Sequence, residues 1–167
     1  MLGFLRRLVL RRVVRSALTF EHNARDVYAA LVGELEDTGQ QESLRHLLDE
    51  EELHINIVTE IAEGRPTSQT LEEILANHHF HSLDHIQPLQ PQQLSRWRDR
   101  LDEALAEERE TYRFYRNLGQ ISKIPVVRLA FKVLADMERE HVEILGRLLG
   151  SCLRNDDRES GSCADFT

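Results

Sequence analysis

Six side chains in this sequence have the types and spacing needed to hold a pair of metal ions. Glu51 and Glu138 are each followed three residues later by a histidine, His54 and His141. A spacing of three turns both side chains of such a pair to one side of a helix. Glu21 and Glu108 each stand 30 residues before one of these pairs. A Glu-x-x-His pair alone is common in a glutamate-rich chain, so the phasing carries the weight. A shift of 87 residues converts Glu21 to Glu108, Tyr28 to Tyr115, Glu51 to Glu138 and His54 to His141. The same shift pairs Leu31 with Leu118, Leu47 with Leu134 and Asp49 with Asp136. The chain reads as two copies of one helical hairpin, each carrying Glu-x6-Tyr and then Glu-x-x-His.

The elements that must position these groups follow from apolar residues recurring at helical period. Four segments are predicted: about Ser16 to Glu36, closed by Asp37-Thr38-Gly39; about Gln41 to Glu63, stopped by Gly64 and Pro66; about Gln92 to Leu118, ending at Gly119; and one from near Ser122 with Pro125 in its first turn. Short connections make the first pair and the last pair antiparallel hairpins. Residues 64–94 hold a short helix opened by Thr70-x-x-Glu73 and a Pro-containing stretch, long enough to return along the bundle. The result is an all-α antiparallel four-helix bundle with one long crossover between helices 2 and 3.

Within the apolar stripes each helix carries one glutamate where a leucine belongs. Glu51 lies among Leu47, Leu48, Ile55 and Val58, and Glu138 between Leu134 and Val142. Glu103, Glu107, Glu110 and Glu140, by contrast, read as solvated surface charges. A buried, unpaired carboxylate costs several kcal/mol. Two divalent cations would neutralise the four in-stripe carboxylates, and two neutral imidazoles would complete the donor set. Counted from the hairpin turns, the six groups fall within about one helical turn of a common height.

This arrangement resembles the ferritin-like di-iron carboxylate superfamily over roughly residues 16–150. Within it the hairpins resemble the rubrerythrin group: Glu21-x-x-Ala24-x-x-x-Tyr28, Glu108 before Phe114-Tyr115, and Leu134-x-x-x-Glu138-Arg139-Glu140-His141. The resemblance implies Glu21 and Glu108 as terminal or switching ligands, Glu51 and Glu138 as bridges, and His54 and His141 capping one metal each. Tyr28 and Tyr115 are then either hydrogen-bond partners of the ligands or ordinary core tyrosines. The implied cofactor is two Fe ions, with Mn or a mixed pair compatible with the donors and no haem. The implied function is an oxidoreductase, a homodimer, reducing hydrogen peroxide or dioxygen, with Glu21, Glu108, Tyr28 and Tyr115 nearest the chemistry. Two cysteines cannot build the four-cysteine rubredoxin domain that rubrerythrins usually add, so a separate donor protein must supply electrons. Thr111 stands where they tend to carry a further carboxylate.

Two rival functions share parts of this pattern. An iron-handling ferroxidase like bacterioferritin uses the same ligand set. Yet no fifth amphipathic helix follows Gly150, and Glu52 occupies the place of that family's haem-ligating Met. The other rival is a membrane-surface or interaction module with a vestigial metal site. Its motive is the segment 1–15, which holds five arginines and no acid against a net charge of −8 for the whole chain. That segment either contacts a membrane peripherally or extends the first helix. The acidic balance disfavours nucleic acid as a partner. No apolar run is long enough to span a membrane, and two cysteines suit a reducing compartment, so a cytoplasmic protein is expected. His78, His79, His81 and His85 read as a solvated polar loop, Cys152 and Cys163 as unrelated thiols, and residues 151–167 as a polar tail.

Overall fold

The computed structural model describes residues 2–34, 38–65, 71–74, 86 and 88–150. The histidine cluster at 78–85, both cysteines, Thr70 and the tail 151–167 lie outside the described residues. Four long helices account for most of the rest: α1 (Leu2–Glu34), α2 (Thr38–Glu63), α3 (Pro91–Ile121) and α4 (Pro125–Leu148). No strand occurs among the described residues. None of their helices is long and apolar enough to cross a membrane.

Local chemistry explains the helix ends. Pro91 and Pro125 sit in the first turns of α3 and α4, where a missing N–H costs nothing. Ahead of α3, the Gln93 side chain accepts the Gln90 N–H at 3.1 Å. Gly64, at φ +70°, ends α2 in the left-handed conformation that glycine adopts freely.

Three boundaries differ from the sequence expectation. α1 begins at Leu2 and passes residue 15 without a break, so its helical pattern extends well before Ser16. Thr38 and Gly39 open α2 instead of closing α1. Helix α3 runs through Gly119 to Ile121. A Cβ at Gly119 would meet the Lys132 side chain at 3.3 Å, so this glycine serves close packing of α3 on α4 rather than termination.

α1 packs antiparallel on α2 and α3 on α4, and the two hairpins meet along α1–α3 and α2–α4. Leu71 belongs to the same apolar cluster as Ile61, near the end of α2, and Leu89 donates its N–H to Leu148 O at 2.9 Å. This is the all-α antiparallel four-helix bundle that the sequence predicts. The apolar core falls into two separate clusters. One contains Tyr28, Leu31, Leu44, Leu47, Trp97, Leu101 and Leu145; the other contains Ala17, Val58, Ile61, Tyr115, Phe131 and Leu134. Each buried large side chain contributes about 1.5–3 kcal/mol, and the two clusters hold a polar layer between them.

Candidate metal centre

That polar layer consists of the six side chains singled out by spacing. Glu21, Glu51, His54, Glu108, Glu138 and His141 are all at most 2% exposed. The helices bring them together from both hairpins. His54 Nδ1 lies 3.0 Å from Glu138 Oε1, and His141 Nδ1 lies 3.0 Å from Glu51 Oε1. Within each Glu-x-x-His pair the separations are 3.7 Å for Glu51–His54 and 3.6 Å for Glu138–His141. The imidazole rings stack, with centroids 5.1 Å apart. Donor atoms of Glu51, His54, Glu138 and His141 lie within 4.8 Å of one another, a grouping able to hold a metal ion.

Glu21 and Glu108 flank this inner four. His54 Nδ1 is 3.1 Å from Glu21 Oε2, and His141 Nδ1 is 3.8 Å from Glu108 Oε2. The two tyrosines reach across between hairpins. Tyr28 donates its hydroxyl to Glu108 Oε1, and Tyr115 donates to Glu21 Oε1. Of the alternatives open at the sequence level, these contacts select hydrogen-bond partners over plain core residues.

The electrostatics are those of crowded acids in a dry interior. Burial, together with the charge of Glu108, pushes the Glu51 and Glu138 carboxyls well above the usual 4.5. Glu108 goes the other way, to about 2: burial would raise it, but its contacts with Glu138 and His141 and the hydrogen bond from Tyr28 outweigh that desolvation. For His141 burial opposes the charge, yet the neighbouring carboxylates of Glu108, Glu50 and Glu51 raise its pKa well above 6.5. Burial and neighbouring carboxylates lift both tyrosines well above 10, so each keeps its proton and remains a donor.

Both oxygens of Glu51, both of Glu138, Nε2 of His54 and Nδ1 of His141 are buried and make no well-aligned hydrogen bond among the described residues, although Glu51 Oε1 and Glu138 Oε1 each lie 3.0 Å from an imidazole nitrogen. Buried polar atoms are normally satisfied, and each orphan calls for a missing partner. Four bare carboxylate oxygens facing two imidazoles fit divalent cations, which bond to lone pairs where a proton donor is lacking.

Two buried acids had not been anticipated. Glu140, read as a surface charge, is 4% exposed, so that expectation is corrected: α4 is buried round much of its circumference. Glu50 is 6% exposed and lies 3.0 Å from His141 Nε2. Its spacing of four from His46 and from His54 was the available signal, but the link to His141 depends on how α2 and α4 align. Thr111 is buried, and its hydroxyl donates to the Glu107 carbonyl at 3.1 Å. Glu103, Glu107 and Glu110 are exposed as expected.

The sequence model of the rubrerythrin family matches residues 99–162. No curated protein and no solved structure matches the chain. The matched stretch carries Glu108, Tyr115, Glu138 and His141, and the 87-residue shift carries the same residue types back to Glu21, Tyr28, Glu51 and His54. Residues 99–162 are thus similar to the rubrerythrin family, a likeness consistent with the ferritin-like di-iron superfamily.

Proposed function

We propose that this rubrerythrin-like chain is a di-iron oxidoreductase that reduces hydrogen peroxide or dioxygen, with electrons restored by a separate donor protein. The observation that carries this function is the set of orphaned carboxylate oxygens around two stacked imidazoles, sealed above and below by apolar clusters. Four carboxylates and two imidazoles suit Fe or Mn. Glu51, Glu138, His54 and His141 would hold the ions, with Glu21 and Glu108 beside them. Two Fe(II) ions, once bound, would supply the two electrons that, with two protons, convert one hydrogen peroxide to two waters.

The chain's own contribution is positioning and exclusion. Tyr28 and Tyr115 fix the orientation of Glu108 and Glu21 from the opposite hairpin, so each outer carboxylate is held by the half of the molecule that does not carry it. The apolar layers keep bulk water away, which strengthens every charge interaction in the layer. We expect a homodimer.

Stopped-flow mixing of the Fe(II)-loaded protein with hydrogen peroxide tests the function. Oxidation much faster than that of free Fe(II) is expected; an equal rate would count against it. The same ligand set also serves ferroxidases, and size exclusion separates the cases. A many-subunit shell would move the assignment to iron storage.

A further inference from the structure

The two halves of the centre match closely at the six inward side chains but not one layer out. Glu50 Oε2 lies 3.0 Å from His141 Nε2, on the side of the ring away from the carboxylate cluster. In the neutral ring, a proton held on Nε2 by this carboxylate leaves Nδ1 as the lone pair open to a cation, and Nδ1 is the atom that faces Glu51 at 3.0 Å. The position related to Glu50 by the 87-residue shift is Met137, a buried thioether and a poor acceptor. Correspondingly, His54 also turns Nδ1 towards the carboxylates, and its Nε2 is buried with no partner among the described residues. Binding a cation through Nδ1 obliges His54 to keep its proton on that unpartnered nitrogen.

We infer that the two metal positions are inequivalent, the one capped by His141 binding more tightly because Glu50 orients and polarises that imidazole. This rests on the dimetal function proposed above. Glu50 is a positioning residue: it acts through His141. Carboxylates that bind the far nitrogen of a metal-bound histidine change metal affinity by about 10–100-fold when removed. Such a difference would make the centre fill in order, with a half-loaded state carrying its ion on the α4 side.

Titration of the metal-free full chain with Co(II) under anaerobic conditions, followed by calorimetry and by the visible Co(II) bands, tests this. The wild type should bind in two steps at least about tenfold apart. Glu50→Ala should weaken the tight step by about 10–100-fold, alter the band of the first ion bound, and leave the weaker step within about threefold. Glu50→Gln, isosteric and still able to accept a hydrogen bond, should give a smaller loss confined to the same step, and it decides the matter if the alanine variant does not fold. Two ions bound with one common affinity, or a Glu50 variant that shifts both steps alike, would overturn the inequivalence while leaving the dimetal centre standing. A wild-type chain that binds no Co(II) would remove both.

Discussion

The α1–α2 hairpin and the α3–α4 hairpin place equivalent side chains at nearly equivalent distances. His54–Glu138 and His141–Glu51 are both 3.0 Å, and each tyrosine reaches the opposite hairpin's outer glutamate. Away from the centre the likeness fades: Glu50 faces Met137 across the shift, and Glu34, which bonds Arg96 and Arg100, corresponds to Ile121. The difference indicates that the shared polar layer constrains both copies, whereas residues one layer out serve only their own half.

The strongest way to break this symmetry is to remove a bridging carboxylate. Glu51→Ala and Glu138→Ala should each reduce bound metal from two ions per chain to one or none, measured by elemental analysis. A large loss in one variant and none in the other would show that only one hairpin carries the site. In the metal-free protein the sign reverses. Glu51→Gln removes an acid whose ionisation the buried, crowded cluster opposes, so it should raise metal-free stability by about 1–3 kcal/mol in denaturant unfolding at neutral pH, and Glu138→Gln should do the same.

pH sharpens the same point. Glu51, Glu138 and His141 all have folded pKa values above their ordinary ones, so their contribution is fully present below those ordinary values and is lost as pH rises through the raised ones. Glu108, lowered to about 2, adds stability above 4.5 that disappears only in strong acid. The metal-free protein should therefore melt several degrees lower at about pH 8 than at about pH 5.5. Mn(II) should flatten or invert that trend, because metal replaces the protons. A metal-free melting temperature that rises over this interval would contradict the assigned shifts.

The smallest effects test the outer contacts. Tyr28→Phe and Tyr115→Phe should each cost about 1–3 kcal/mol by leaving a buried carboxylate without its donor, and should agree to within about 0.5 kcal/mol. Unequal costs would mean that one tyrosine is structural packing alone. Glu34→Ala, which removes two exposed ion pairs with no counterpart in the other half, should cost below about 1 kcal/mol.

Much of this was legible in the sequence because burial and duplication both leave periodic marks. A glutamate between Leu134 and Val142 conflicts with its own stripe, and the conflict recurs after 87 residues. Helix ends were less legible. Gly119 reads locally as a stop, yet its contact with Lys132 depends on α4. Glu50 and Glu140 lie at the edges of their stripes, where the choice between solvent and core is made by neighbouring helices rather than by period. Tyr28 fits a core stripe whether or not its hydroxyl has a partner, so its bond to Glu108, 80 residues away, had no local signature.

The most direct test is the metal content of the full chain loaded with Fe(II) without oxygen, washed of excess ion and measured per folded polypeptide. Two iron ions per chain, falling to one or none in both Glu51→Ala and Glu138→Ala, is the predicted result. A folded wild-type chain that retains no iron would contradict a dimetal centre at the meeting of the two hairpins.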